Sequence, residues 1–257
     1  MKRVMLSNRT SLILALSLVS VYIASGEEVE LKFVVQAEQI QGALRTFTQG
    51  KDGEERNIYF LETDAMALSQ KGIILRLREN PGKADDSTVK LRGDKAAELP
   101  DMEFPLTETR KEESKAEKDK VIGGKEAPSF SITVKQREGE VADLRKGNRE
   151  LKELFSDKQE SFLAKYAQGV DWQRARLLGP VKTEKWKIIS DGFCCELTAE
   201  LWHLPGCEQQ EMLEFSTKVD ESDATMVEED LRELMKNKQI ELAESPESKA
   251  QTVLNAC

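Results

Sequence analysis

Six stretches of the chain alternate apolar and polar residues with period two. In residues 28–35, Val29, Leu31, Phe33 and Val35 fall on one side and Glu28, Glu30 and Lys32 on the other. Successive side chains of an extended strand point to opposite faces, so this alternation predicts a strand with two chemically different faces. Residues 73–78 set Leu75 and Leu77 against Arg76 and Arg78. Residues 88–92 set Val89 and Leu91 against Lys90 and Arg92. Residues 101–104 set Met102 and Phe104 against Asp101 and Glu103. Residues 195–202 oppose Cys195, Leu197, Ala199 and Leu201 to Glu196, Thr198 and Glu200. Residues 213–219 oppose Leu213, Phe215 and Val219 to Glu214, Ser216 and Lys218. Helical spacing separates the strands at 36–48, at 142–167 as one or two helices, and at 222–236, where Ser222 is the candidate cap.

Three segments break the pattern. Residues 107–128 are dense in charge and end in Gly123-Gly124 and Pro128, which reads as a flexible insertion or linker. That glycine pair lacks the Lys-Ser/Thr of a phosphate-binding P-loop. Residues 241–257 read as a loose C-terminal tail. Residues 1–26 carry Lys2, Arg3 and Arg9, then an apolar run over 11–23, then Ala24, Ser25 and Gly26. This is the layout of a cleaved secretory signal peptide, with a run too short for a comfortable bilayer span. The expectation is an exported protein with no stable membrane insertion after cleavage. Between leader and tail, residues 27–240 form one domain.

Charge then narrows the chemistry. The 257 residues hold 38 Lys and Arg against 47 Asp and Glu, a net charge of −9, and loss of the leader leaves −12. Such a surface does not suit a nucleic-acid coat, which needs to neutralise phosphates. One histidine, His203, precedes a Leu-Pro-Gly turn, so multi-histidine metal centres are excluded and a Ser-His-Asp or Cys-His relay is disfavoured. Four cysteines without a C-x-x-C pair carry no zinc-ribbon signature, and Cys195 reads as a buried free thiol. Trp186 and Trp202 read as packing residues.

The polar faces are more informative. A solvated antiparallel sheet also has one polar face. Here, however, acids segregate to some strands and bases to others. Carboxylates at i and i+2 of a strand stand about 7 Å apart on one face and repel unless a cation lies near them. Oxygen ligands of this kind suit Mg²⁺ or Mn²⁺. Rows of Lys and Arg suit a chain of phosphates. If the sheet closes into a barrel, both sets share one interior.

The residues carry a family resemblance. Glu28-x-Glu30-x-Lys32 resembles the E-x-E-x-K signature of the CYTH superfamily, the triphosphate tunnel metalloenzymes. These include class IV adenylate cyclases, thiamine triphosphatases and inorganic triphosphatases. Residues 58–78 resemble the family's stretch that ends in an L-R-x-R strand, and Val89-Lys90-Leu91 resembles its next basic strand. Asp101-x-Glu103, residues 178–188 and Glu214-Phe215-Ser216 resemble, in order, its acidic pair, its second basic strand and its closing strand.

The resemblance implies an α+β fold, a closed eight-stranded antiparallel barrel forming a tunnel with helices packed outside. It implies Glu28 and Glu30 as catalytic residues and metal ligands, joined on the metal by Glu214. It implies Lys32, Arg76, Arg78, Lys90 and Lys185 as the groups that bind a small triphosphate-type substrate. Mg²⁺ or Mn²⁺ would be the cofactor, and water would attack phosphorus in line. Two departures stand out. The second basic strand offers Lys182, Lys185 and Lys187 in place of Arg, and a lysine cannot make the bidentate fork of a guanidinium. The closing strand offers Glu214 and then Ser216, where a second acid is common; Glu200 on the preceding strand could substitute. Metal-dependent hydrolysis of a triphosphate is therefore the leading expectation. A non-catalytic polyphosphate-binding module is the alternative, and an adenylate cyclase the third.

Overall fold

The structure is a computed structural model. It describes residues 28–256 apart from 64–65, 98, 100–103, 105–106, 110, 124–125, 205, 207–209 and 244–248. The leader over 1–26 and the Asp101-x-Glu103 pair lie outside the described residues. The elements in chain order are β1 (Glu28–Val34), α1 (Ile40–Thr48), β2 (Glu54–Glu62), β3 (Ile73–Glu79), β4 (Asp86–Arg92), α2 (Asp94–Ala97), β5 (Thr107–Glu108), β6 (Glu112–Val121), β7 (Glu126–Lys135), α3 (Glu140–Arg145), α4 (Asp157–Tyr166), β8 (Arg176–Ile188), β9 (Leu197–His203), β10 (Glu211–Asp220), α5 (Ala224–Asn237) and α6 (Lys249–Ala256). Among the described residues no helix is long and apolar enough to cross a membrane.

The strands form one sheet in the order β1-β10-β9-β8-β2-β3-β4-β7-β6-β5, and β1 also pairs with β6. That last pairing closes a barrel of nine strands, with β5 left outside on β6. The expectation of eight antiparallel strands is corrected on both counts. The β1–β6 pair is parallel, with Val29 opposite Lys118 and Lys32 opposite Val121. A ring with an odd number of strands cannot alternate direction all the way round, so one pair must run parallel.

The additional strand comes from the charged run. Residues 107–128 are not a linker, because β6 and the start of β7 lie within them. The tail is corrected too, since α6 occupies much of it. Ser222 sits in a 3₁₀ turn before α5, whose N-cap position is Asp223, without a side-chain bond. Strand β9 begins after the two thiols; Cys194 is exposed and Cys195 only partly buried.

The barrel is apolar outside and polar inside. Val29, Leu31 and Phe33 of β1 and Leu213 and Phe215 of β10 point outward and are buried beneath Ile40, Ala43 and Phe47 of α1 and Val227 and Leu231 of α5. The Phe33 and Phe215 rings stack at 5.1 Å between centroids, a contact of about 0.5–1.5 kcal/mol beyond its buried area. On the other side, Leu75 and Leu77 of β3 and Val89 and Leu91 of β4 lie beneath Phe162 and Leu163 of α4. The helices thus cover the apolar phase of these strands. The other phase, with its charges, has nowhere to go but the interior.

Candidate active site

The interior is a cavity of about 1060 Å³. Of the sequence-predicted residues, Glu30, Lys32, Arg76, Arg78, Lys90, Lys185 and Glu214 all line it. Glu28 does not. Its side chain is 46% exposed at the mouth and bonds Lys218 Nζ at 3.0 Å.

One wall centres on Asp119 of β6, which is 3% exposed. Its Oδ1 accepts from Lys32 Nζ at 2.5 Å, and its Oδ2 from Lys90 Nζ and Arg92 Nη2 at 2.8 Å each. Lys32 also bonds Glu30 Oε2 at 2.8 Å. Glu117, two residues before Asp119, bonds Lys218. Carboxylate oxygens of Glu30, Glu117 and Asp119 lie within 4.8 Å of one another. Burial opposes the charge on Asp119, but Lys32, Lys90 and Arg92 outweigh it and hold its pKa well below the usual carboxylate range. Burial likewise opposes Glu30, and Lys32 outweighs it, so this pKa is also lowered. On Lys32 the order is the same: desolvation is overcome by Glu30 and Asp119, and the ammonium pKa rises.

The facing wall is cationic and less compensated. Arg78 Nε donates to Asp86 Oδ1 at 2.9 Å. Arg76 donates through Nη2 to Thr88 Oγ1 at 3.3 Å, while its buried Nε has no partner. Burial, and then the neighbouring Arg78, push the Arg76 pKa down to about 10. Lys185 is pushed down by burial, which the attraction of Glu200 does not offset. Of the three lysines of β8, Lys185 lines the cavity, whereas Lys187 pairs with Glu196 on an exposed site. Depressed cation pKa values mean that the fold holds positive charge at a cost. A bound anion would remove that cost.

At the inner end, Glu200 and Glu214 face each other across the β9–β10 ladder. Lys249 of α6 lies between them, 2.7 Å from Glu214 Oε1 and bonded to Glu200. Glu214 is therefore brought to the cavity wall and ion-paired there with Lys249, and its charge also reaches Lys32 of the Glu30 group.

Sequence reasoning missed Glu117, Asp119 and Lys249. The first two were findable, because Glu117-x-Asp119 repeats the acidic i, i+2 spacing of Glu28-x-Glu30. A single lysine in a polar tail carries no such signal.

No family model matches the sequence, and no curated protein matches it. Solved structures do. A candidate adenylate cyclase from Bacillus halodurans aligns with a TM-score of 0.57 at 15% identity, covering 88% of this chain and 96% of its own. A candidate adenylyl cyclase from Hippeastrum, described with a dominant triphosphatase activity, aligns with a TM-score of 0.59 at 13% identity, covering 89% and 95%. The chain shares the fold of these structures, a closed barrel around a charged tunnel. Identities this low convey the fold and leave the chemistry to the residues on the tunnel walls.

Proposed function

We propose that this CYTH-type protein is an exported, divalent-metal-dependent hydrolase of a triphosphate-containing compound, either inorganic triphosphate or a nucleoside triphosphate. One observation carries the reading. A single cavity opposes an under-compensated cation wall, with the unpartnered Arg76 Nε within it, to a cluster of three carboxylates. Arg76, Arg78 and Lys185 would hold the phosphate oxygens. Lys32, Lys90 and Arg92 would exchange part of their hold on Asp119 for the substrate.

The donor set of Glu30, Glu117 and Asp119 is all oxygen and fits Mg²⁺ or Mn²⁺. These three residues would hold the ion; Glu28 and Glu214 would not. A bound ion supplies charge neutralisation at the phosphoryl oxygens. The chain's own part is alignment and a fixed field of cations, which is the larger share of phosphoryl-transfer catalysis. The Hippeastrum protein's triphosphatase activity supports the reading, and the leader-like residues 1–26 support export.

The test is phosphate release from tripolyphosphate and ATP with Mg²⁺, with Mn²⁺ and with chelator. Metal-dependent release is expected, with kcat down about 10²-fold in Arg76→Ala. Binding without release would favour the polyphosphate-binding module, the reading suggested by the ion pair that occupies Glu214. Cyclic AMP from ATP would replace hydrolysis with cyclisation.

A further inference from the structure

The C-terminal helix enters the tunnel from its inner end. Lys249, Ala250, Val253 and Leu254 have the i, i+1, i+4, i+5 spacing of a single helix face. Val253 and Leu254 are buried with Val34, Phe60, Trp202 and Met212 of the barrel. Ala250 and Lys249 line the cavity itself. Packing of the lower half of the face therefore fixes where the lysine goes.

The lysine reaches a place that needs a cation. Glu200 and Glu214 are directly opposed partners on β9 and β10, and like charges in that position repel. Their side chains are 19% and 4% exposed, too enclosed for water to screen them fully. Lys249 answers both: it is 17% exposed, bonds both carboxylates, and lies 5.1 Å from the centroid of the Trp202 ring. Two carboxylates on adjacent strands of a phosphate-binding tunnel could equally be satisfied by a divalent ion. In this chain the protein supplies the cation.

We propose that Lys249 is a tethered cation that occupies the Glu200–Glu214 pair in place of a metal ion. The tunnel then takes one exchangeable divalent ion, at Glu30, Glu117 and Asp119. Lys249 is a positioning residue for the charge of the inner wall, held there by α6. The inference deepens the metal-dependent reading above and rests on it only for the first ion.

The experiment is Mn²⁺ titration of the full chain, with bound ion counted by electron paramagnetic resonance and by calorimetry. Wild type is expected to bind one ion and Lys249→Met two. Lys249→Arg keeps the charge and should bind one. The double variant Lys249→Met/Glu214→Gln should return to one. Two ions in wild type, or one in Lys249→Met when wild type also binds one, overturns the proposal. If wild type binds none, the carboxylate cluster is not a metal site; one ion in Lys249→Met then still upholds the tethered cation, and none overturns it. If Lys249→Met unfolds without metal, the melting transition becomes the readout. Mn²⁺ should restore it, and failure to restore it overturns the proposal.

Discussion

Asp119 holds three cations on one carboxylate, and that single side chain decides how the outer part of the tunnel behaves without ligand. Breaking a buried pair by removing one partner leaves uncompensated charge, at a cost of about 3–5 kcal/mol. Asp119→Asn leaves Lys32, Lys90 and Arg92 around a neutral amide, with Glu30 still bonding Lys32 at 2.8 Å and Glu117 4.0 Å from Lys90. A large fall in melting temperature is expected. Tripolyphosphate in chelator should recover more of that loss than it adds to wild type, because the anion replaces the missing carboxylate. An unchanged melting temperature, or equal recovery in both proteins, would remove Asp119 from the centre of the site. The basic residues of this wall were legible in the sequence. Lys32 and Lys90 alternate with Val and Leu, so their strands announced themselves. Asp119 carried no packing signal, because its neighbours Lys118 and Lys120 are charged, and only its i, i+2 spacing with Glu117 pointed to it.

Strand β6 explains that blindness. Its inward positions are Glu113, Lys115, Glu117 and Asp119, and these line the cavity. Its outward positions are Glu112, Ser114, Lys118 and Lys120, and these are held by ions where other strands use packing. Lys158 of α4 bonds Glu112 and Ser114, Glu221 bonds Lys118, and Glu228 of α5 bonds Lys120. Hydrophobic periodicity detects a face that packs, so a strand charged on both faces gives no signal. The tail failed differently: α6 is eight residues long and is stabilised by docking, which local pattern cannot reveal. By contrast, β3 and β4 were legible, and their hairpin depends on one backbone feature. Gly72 sits at φ 75°, and a Cβ there would lie 2.5 Å from the Arg92 carbonyl oxygen. The Arg92 amide also donates to the Gly72 carbonyl at 2.9 Å. Gly72→Ala therefore combines a left-handed backbone with a clash against main chain, and a loss of more than about 1 kcal/mol is expected by urea denaturation. A neutral result would mean that the start of β3 can shift without disturbing the strands that carry Arg76 and Arg92.

The molecule as a whole inverts the usual layout of a small domain: the apolar faces of the strands look outward under helices, and the charges are enclosed. Net acidity of the chain thus coexists with a cationic interior. This arrangement gives ligand binding a pH signature whose sign can be worked out. Arg76 has a pKa lowered to about 10, and Lys185 and Lys90 are lowered from 10.5, in each case first by burial. Lys32 and Lys249 are raised, so they stay charged throughout. Asp119 is ionised at any pH near neutrality and contributes no proton. A bound polyanion favours the charged forms of Arg76, Lys185 and Lys90 and returns their pKa values toward the ordinary ones. Buried lysines of lowered pKa give up their protons at lower pH than free ones, so on the alkaline side, at about pH 9.5, binding should take protons up through Lys185 and Lys90, and affinity should fall as pH rises. Any proton that tripolyphosphate itself releases on binding counts against this uptake, so its own titration is measured in the same buffers and subtracted. Calorimetry of metal-free protein in two buffers of different ionisation enthalpy measures the uptake directly. Zero uptake or proton release at about pH 9.5 would mean that the anion does not sit against the Arg76–Lys185 wall, even if it binds elsewhere on the protein.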